Sequence, residues 1–517
     1  MHLLPVLWPS TFPFFYIPLS LFTPTTAFFS SSLFRKQLRS FLSNPSSPPY
    51  QMRPPSRRRR VGAPSDPQPE PNSLCGSSDQ NRTDLISHLP DCVLSSIISL
   101  LPIRDSIRTS ILSSRFRHLW KLNPLHLDDS TIKSDQLDAY ETSQAVSRIA
   151  SVHPGPIHSF RVSQFDLEFR REVDDLVETL TGKGIRELSL GFGYQGRLRY
   201  RLPSSVLQCP TLRKVSLSDC FIPPSPVVNS SFPNLRELTL EFVFLWDDLL
   251  HCILKSCAQL EVLQLMNCSG LQYVRLSCAK LQKLTIHEEG YGSHAKEVVI
   301  ENAPELRSLR FGESTVDCIR FSVQHVQKLE VLGFFSMNAN MRFGNTFSKS
   351  YNQYEMSVNR SMGLPTVKRL AILVGFADGF KRSLLSSVLR CFPCLETLDI
   401  KCIKSIGPAP DIGFWEQQAP FGFFEQHLKS VTMVNFSGMR TEVEFVKFFV
   451  QHGRVLKRIT LIYKHKPSAT WQKTKRRELR LKNRASMYLE VVFVHKSDFD
   501  PDSCAWAPLF HRPLPGA

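Results

Sequence analysis

Between residues 185 and 400 one pattern of apolar positions recurs: an apolar residue, two variable positions, then two apolar residues separated by one. Ile185-Leu188-Leu190 is the first clear copy, followed by Leu212-Val215-Leu217, Leu235-Leu238-Leu240 and Leu260-Leu263-Leu265. Leu271-Val274-Leu276, Leu281-Leu284-Ile286, Leu306-Leu309-Phe311 and Leu329-Leu332-Phe334 continue the series. Val367-Leu370-Ile372 and Leu395-Leu398-Ile400 close it. Alternation with period two predicts a short strand in each copy, because successive strand side chains point to opposite faces. The commonest step is 23–28 residues. Several copies follow a short helical run ended by proline: Val206–Pro210, Val388–Pro393 and, in part, Ser231–Asn234. Parallel strands with helices behind them are therefore expected, each repeat burying its core against its neighbours. The steps from Leu260 to Leu271 to Leu281 leave no room for a helix and predict strand–turn–strand units. Residues 335–362 are polar, rich in Asn and Ser, and predict a loop or degenerate repeat that interrupts the series.

Ahead of the repeats the periodicity changes to helical. Val93, Leu94, Ile97, Ile98 and Leu101 form one apolar helical face, with Pro102 as the stop. A second helix is expected from Asp105, a candidate N-cap, through Leu112, and a third turn around Ser113–Trp120. So few short helices cannot bury all these apolar side chains alone, so the rest of the chain or a partner must cover them.

The residues Leu89-Pro90-x-x-Val93-Leu94, Ile97-Ile98, Leu100-Leu101-Pro102-Ile103-Arg104-Asp105 and Ser113-Ser114-Arg115-Phe116 closely resemble an F-box. Phe116 stands where many F-boxes have Trp, and the aromatic character is kept. The resemblance implies docking onto a Skp-type adaptor and through it onto a cullin–RING ubiquitin ligase. It assigns adaptor contact to Leu89, Pro90, Val93, Leu94, Ile97, Leu100, Leu101, Pro102, Ile107, Leu112, Phe116 and Trp120, as apolar anchors packed helix-in-groove.

Towards the C-terminus, Phe421–Met433 continues the strand pattern. A helix fits Glu442–His452, with Val443, Val446, Phe449 and Val450 on one stripe and Gly453 at its end. Leu456–Leu461 gives another strand, and Tyr488–Val494 one more. This stretch resembles the FBD domain that closes many plant F-box/leucine-rich-repeat proteins. The fold class expected is α/β: a helical F-box, then an irregular leucine-rich-repeat solenoid of parallel strands with helices on its convex face, closed by an FBD-like unit. The expected boundaries are 1–80 for a disordered extension and linker, 81–125 for the F-box, 126–415 for the repeats, 416–496 for the FBD-like unit and 497–517 for a tail.

The chain has 517 residues, 42% hydrophobic and 21% charged, which is enough apolar material for real cores. The net charge of +17 is concentrated at the ends: residues 1–80 carry +5 and residues 471–484 carry +6. The middle is mildly basic, so no nucleic-acid partner is expected from charge. Arg57–Arg60 reads either as a nuclear import patch or as a solvated tail. The run Lys473–Arg484 reads as a solvated helix face, with nucleic-acid contact or import as the competing reading. Residues 1–34 are apolar but broken by Pro5, Pro9, Pro13, Pro18 and Pro24, so no membrane span is expected. An upstream extension before Met52, a transit segment and a secretory signal remain open for residues 1–51. Thirteen cysteines at irregular spacings fit thiols in a reducing compartment better than a disulfide scaffold.

Chemical motifs are sparse. Gly191-Phe192-Gly193-Tyr194-Gln195-Gly196 matches GxGxxG but is followed by an extended segment, so an inter-strand loop is expected rather than a dinucleotide site. Cys391-Phe392-Pro393-Cys394 is a lone CxxC without a second pair at zinc spacing. No GxxxxGK[ST], HExxH or GxSxG occurs. Five Asn-x-Ser/Thr sites, at Asn81, Asn229, Asn267, Asn359 and Asn435, matter only in a secreted chain. The function expected is a non-catalytic substrate receptor in the cytoplasm or nucleus, binding adaptor and target protein, with no cofactor and no metal. The competing expectation is a secreted or organellar leucine-rich-repeat protein that binds a ligand without a ligase role.

Overall fold

The computed structural model describes residues 86–499 apart from Ser87, Pro102 and residues 133–138, 166–169, 194–198, 224–231, 288–296, 312–319, 337–339, 344–363, 404–412 and 464–467. The expected extension and linker at 1–80 lie outside the described residues, as do Pro102 and, of the expected tail 497–517, all but residues 497–499.

Every copy of the repeated pattern is a strand. Fourteen strands form one sheet in chain order. They are Leu125–Asp128, Ile157–Phe165, Glu187–Phe192, Lys214–Ser218, Glu237–Glu241, Val262–Met266, Lys283–His287, Ser308–Phe311, Val331–Ser336, Arg369–Val374, Thr397–Cys402, Ser430–Val434, Arg458–Tyr463 and Glu490–His495. Neighbours pair in parallel, with equivalent positions aligned: Val215 lies opposite both Leu188 and Leu238. The first apolar residue of each copy sits just before its strand and is buried, as at Ile185, Leu212, Leu235 and Leu395. Layers of apolar side chains therefore run under the sheet, each side chain contributing about 1.5–3 kcal/mol on burial.

A second regularity lies at the strand ends. Asp219, Phe242 and Asn267 follow three successive sheet strands and adopt left-handed backbone at φ 54°, 52° and 51°. Each donates its N–H to the carbonyl that ends the next strand, at Glu241, Met266 and His287. Asn435 takes the same place after Ser430–Val434. The left-handed residue turns the chain out of the sheet while keeping its N–H satisfied. At Asn267 and Asn435, the asparagine of an Asn-x-Ser/Thr triplet thus fills a turn position that asparagine tolerates well.

Helices return the chain in most repeats, including Ser204–Gln208, Asp247–Ser256 and Gly379–Leu389, and their apolar faces join the sheet's core. In the middle of the array, strands replace them. Tyr273–Ser277, Glu297–Asn302, Arg320–Val323 and Asn340–Phe343 make a second parallel sheet. This refines the reading of the short steps. Tyr273–Ser277 does not sit between its sequence neighbours; Val262–Met266 pairs directly with Lys283–His287. A step of ten residues is too short for a helix but long enough to cross the core. Val274, Leu276, Val298 and Ile300 accordingly share one core with Leu263. Of the stretch 335–362, expected as a loop or degenerate repeat, Phe335 and Ser336 end a strand of the main sheet and Asn340–Phe343 extends the second sheet, while 337–339 and 344–362 lie outside the described residues.

In the C-terminal repeats, Phe423–Gln426 is a single helical turn rather than strand. Phe423 and Phe424 are both buried, and Phe424 packs against Phe448 and Phe449. A strand would send those neighbouring rings to opposite faces. The strand begins only at Ser430. The helix Arg440–His452 buries Val443, Val446, Phe449 and Val450, and Gly453 follows it. Gly453 is not left-handed; an added Cβ would lie 2.8 Å from the Phe449 carbonyl oxygen, so close backbone approach selects glycine.

Candidate adaptor-docking face

Three short helices precede the sheet: α1 (Asp91–Leu100), α2 (Ile103–Leu112) and α3 (Ser114–Leu122). Ser113 caps α3, its hydroxyl accepting from the Phe116 N–H at 3.2 Å. Asp105 is not an N-cap; α2 begins at Ile103, and Asp105 lies in its first turn, 3.0 Å from Arg108. Arg115 ties the start of α3 to the start of α1, donating to the Asp91 carboxylate at 2.7 Å and the Leu89 carbonyl at 2.5 Å.

The apolar stripe of α1 divides in two. Leu94 and Ile98 turn inward and form a small core with Leu119 and Trp120, against which Leu89, Ile107 and Phe116 pack. Val93, Ile97 and Leu100 turn outward and are 40%, 43% and 86% exposed. Their spacing, i, i+4 and i+7, makes them one ridge. Among the other residues assigned to adaptor contact, Pro90 is exposed, Leu112 is 70% exposed, and Leu101 is half-buried. Leu94 and Trp120, at 1% and 4%, are interior and present no surface to a partner. Ile86, Ile111 and Leu122 are exposed apolar residues of the same module that the sequence reading did not select. Ile111 was legible as the i+4 neighbour of Ile107, four residues on along α2.

The module is fastened to the repeats through a buried junction. The Asn123 amide donates to the Ser95 carbonyl at 3.0 Å. The Asn123 carbonyl meets His153 Nε2 at 3.0 Å, and the Trp120 ring packs edge-on to His153 at 5.1 Å. Nε2 therefore carries the proton. Burial lowers the His153 pKa from its ordinary 6.5, opposed by the Asn123 hydrogen bond and assisted by the nearby Lys183 cation. Lys183 donates to the carbonyls of Ala150 and His153 at the end of the helix Ala139–Val152. Ile103 of α2 also joins the main core.

Three family models match, in the order F-box domain (residues 86–128), LRR repeats of the FBD-associated F-box protein At5g56370 type (173–400) and FBD (419–461). The chain is 26% identical over 402 residues to the F-box/FBD/LRR-repeat protein At1g13570 of Arabidopsis thaliana, covering 73% of this chain and 91% of that one. It is 24% identical over 426 residues to the Arabidopsis F-box/LRR-repeat protein 13, covering 74% and 90%. It is 30% identical over 239 residues to the Arabidopsis F-box/LRR-repeat protein At3g26922, covering 44% of this chain and 74% of that one. The chain belongs to the plant F-box/FBD/leucine-rich-repeat family. The three-helix module is its F-box, and the exposed ridge of α1 lies on it.

Elsewhere the candidate motifs resolve into structure. Gly191 of the GxGxxG match is in a strand, and an added Cβ would collide with the Ser163 carbonyl of the neighbouring strand. Glycine is required there by the close approach of two backbones. Gly196 lies outside the described residues. Among the described residues no disulfide forms, no group of three or more His, Cys, Asp or Glu is placed to hold a metal, and no helix is long and apolar enough to cross a membrane. Burial pushes the thiols of Cys220 and Cys257 up to about 12, which makes them inert packing groups.

Proposed function

We propose that this protein is the substrate-recognition subunit of a cullin–RING ubiquitin ligase of the SCF type. The F-box docks on a Skp-type adaptor, the adaptor connects to a cullin, and the leucine-rich repeats hold a target protein. The observation that carries the reading is the outward ridge Val93–Ile97–Leu100 on a matched F-box, held on the same compact unit as the repeats. An exposed apolar ridge beside a half-buried Leu89 and an exposed Pro90 suits helix-in-groove packing. Family members of this kind are generally substrate adaptors rather than enzymes. The chain then supplies proximity: it raises the effective concentration of the target at the ubiquitin-loaded enzyme and leaves the chemistry to other subunits. The working compartment is the cytoplasm or nucleus.

A reconstituted ligase tests this reading. Adaptor, cullin, RING subunit and conjugating enzyme are combined with the full chain, and ubiquitin addition to the chain's own lysines is followed. Modification is expected with the wild type and is lost with the Leu89→Ala/Pro90→Ala variant, whose missing anchors cost about 2–4 kcal/mol of adaptor affinity. Modification that is absent with the wild type, while the adaptor is bound, contradicts the ligase role.

A further inference from the structure

The last sheet strand, Glu490–His495, pairs on one side only among the described residues, with Arg458–Tyr463. The Glu490 N–H bonds to the Lys457 carbonyl, so residues 490, 492 and 494 face the sheet, and the backbone groups of Val491, Phe493 and His495 face the open edge. One of these outward groups is already answered by a cation: Arg476 donates to the Val491 carbonyl at 3.3 Å and stacks over the Phe493 ring at 5.0 Å. Arg476 lies on the helix Ala469–Glu478, with Lys473 one turn before it and Arg477 beside it, both exposed. The nearby carboxylates are engaged, Glu478 by Lys475 at 2.8 Å and Glu490 by Arg458 at 3.0 Å. At the strand's entrance Met487 and Tyr488 are 73% and 79% exposed.

We propose that this C-terminal edge of the main sheet is a docking site for an acidic, extended polypeptide segment of another protein. The segment adds a strand to this edge and takes over the Val491 carbonyl from Arg476; its carboxylates then meet Lys473, Arg476 and Arg477, and Met487 and Tyr488 cover its apolar positions. Charge selects the occupant: an edge with no neighbouring strand among the described residues, flanked by cations, repels a basic strand and favours an acidic one. The site is separate from the F-box ridge and does not depend on the ligase reading.

The probe is a fluorescent ten-residue peptide alternating Glu and Val, titrated against the full chain at low salt. The account predicts saturable binding that weakens at least tenfold in Lys473→Glu/Arg477→Glu, whose side chains are exposed, so the fold is preserved. It also predicts loss of binding when alternate peptide nitrogens are methylated, since methylation removes the strand-pairing N–H groups. Three results would overturn it: unchanged affinity in the charge-reversed variant, equal binding of the methylated peptide, or a single-stranded RNA oligonucleotide that binds tightly where the peptide does not.

Discussion

Two adjacent pairs on α1, Val93–Leu94 and Ile97–Ile98, carry opposite duties. One member of each pair builds the F-box core and the other stands outside it. Their substitutions should therefore separate. Ile97→Asp is expected to leave the melting temperature within a degree or two and abolish adaptor co-purification. Leu94→Ala is expected to cost about 2–4 kcal/mol of stability, seen as a shifted denaturation midpoint, because it opens a cavity among Leu119 and Trp120. Equal loss of stability in both variants would contradict the division. His153 makes a second prediction at this scale. Its pKa is lower in the folded chain than the ordinary 6.5, so the unfolded chain binds more protons near pH 6. The stability that neutral His153 contributes is present above pH 6.5 and lost as pH falls towards its lowered folded value. His158 and His452 shift in the same direction, again chiefly by burial. His153→Gln keeps an N–H for the Asn123 carbonyl and should flatten the stability profile between pH 5 and 7; an unchanged slope would remove His153 as its source.

At the scale of elements, the strands were legible and their partners were not. Ten apolar copies predict ten strands because the alternation fixes both the period and the buried face. It cannot say which sheet a strand joins, since Val274 and Leu276 are as apolar as Leu263 and Leu265. The split of α1 was hidden for a similar reason: paired apolar residues widen a helical stripe without marking which edge is covered. The turns at Asp219, Phe242 and Asn267 were invisible because three different side chains serve one backbone conformation. Glu442 was passed over inside a helical stripe, yet it is 1% exposed and fastens the helix start. Its carboxylate accepts from the N–H and hydroxyl of Ser437 and from the N–H groups of Gly438 and Met439. Burial raises its pKa and these donors oppose the rise. Glu442→Ala leaves those donors without their acceptor and is expected to cost about 2–4 kcal/mol, measurable by chemical denaturation. Gly191→Ala should also destabilise, by about 1–3 kcal/mol, as the added methyl displaces the Ser163 backbone.

At the scale of the molecule, one continuous core runs from Ile103 of the F-box to Val491 of the last strand. The outward charges of successive strands neutralise one another across the sheet, as in Lys214–Glu237 at 2.9 Å and Lys429–Glu396 at 2.6 Å. Such exposed pairs contribute little stability and fix register more than energy. The repeats thus rest on nearest-neighbour burial, while the F-box keeps a separate small core and leaves its ridge uncovered. That uncovered ridge is the point on which the functional account turns. The most direct measurement is size-exclusion chromatography with light scattering on the full chain co-expressed with a Skp-type adaptor. The account predicts co-elution as a one-to-one complex that Ile97→Asp dissolves into its two components. A folded chain that elutes alone beside free adaptor would contradict it.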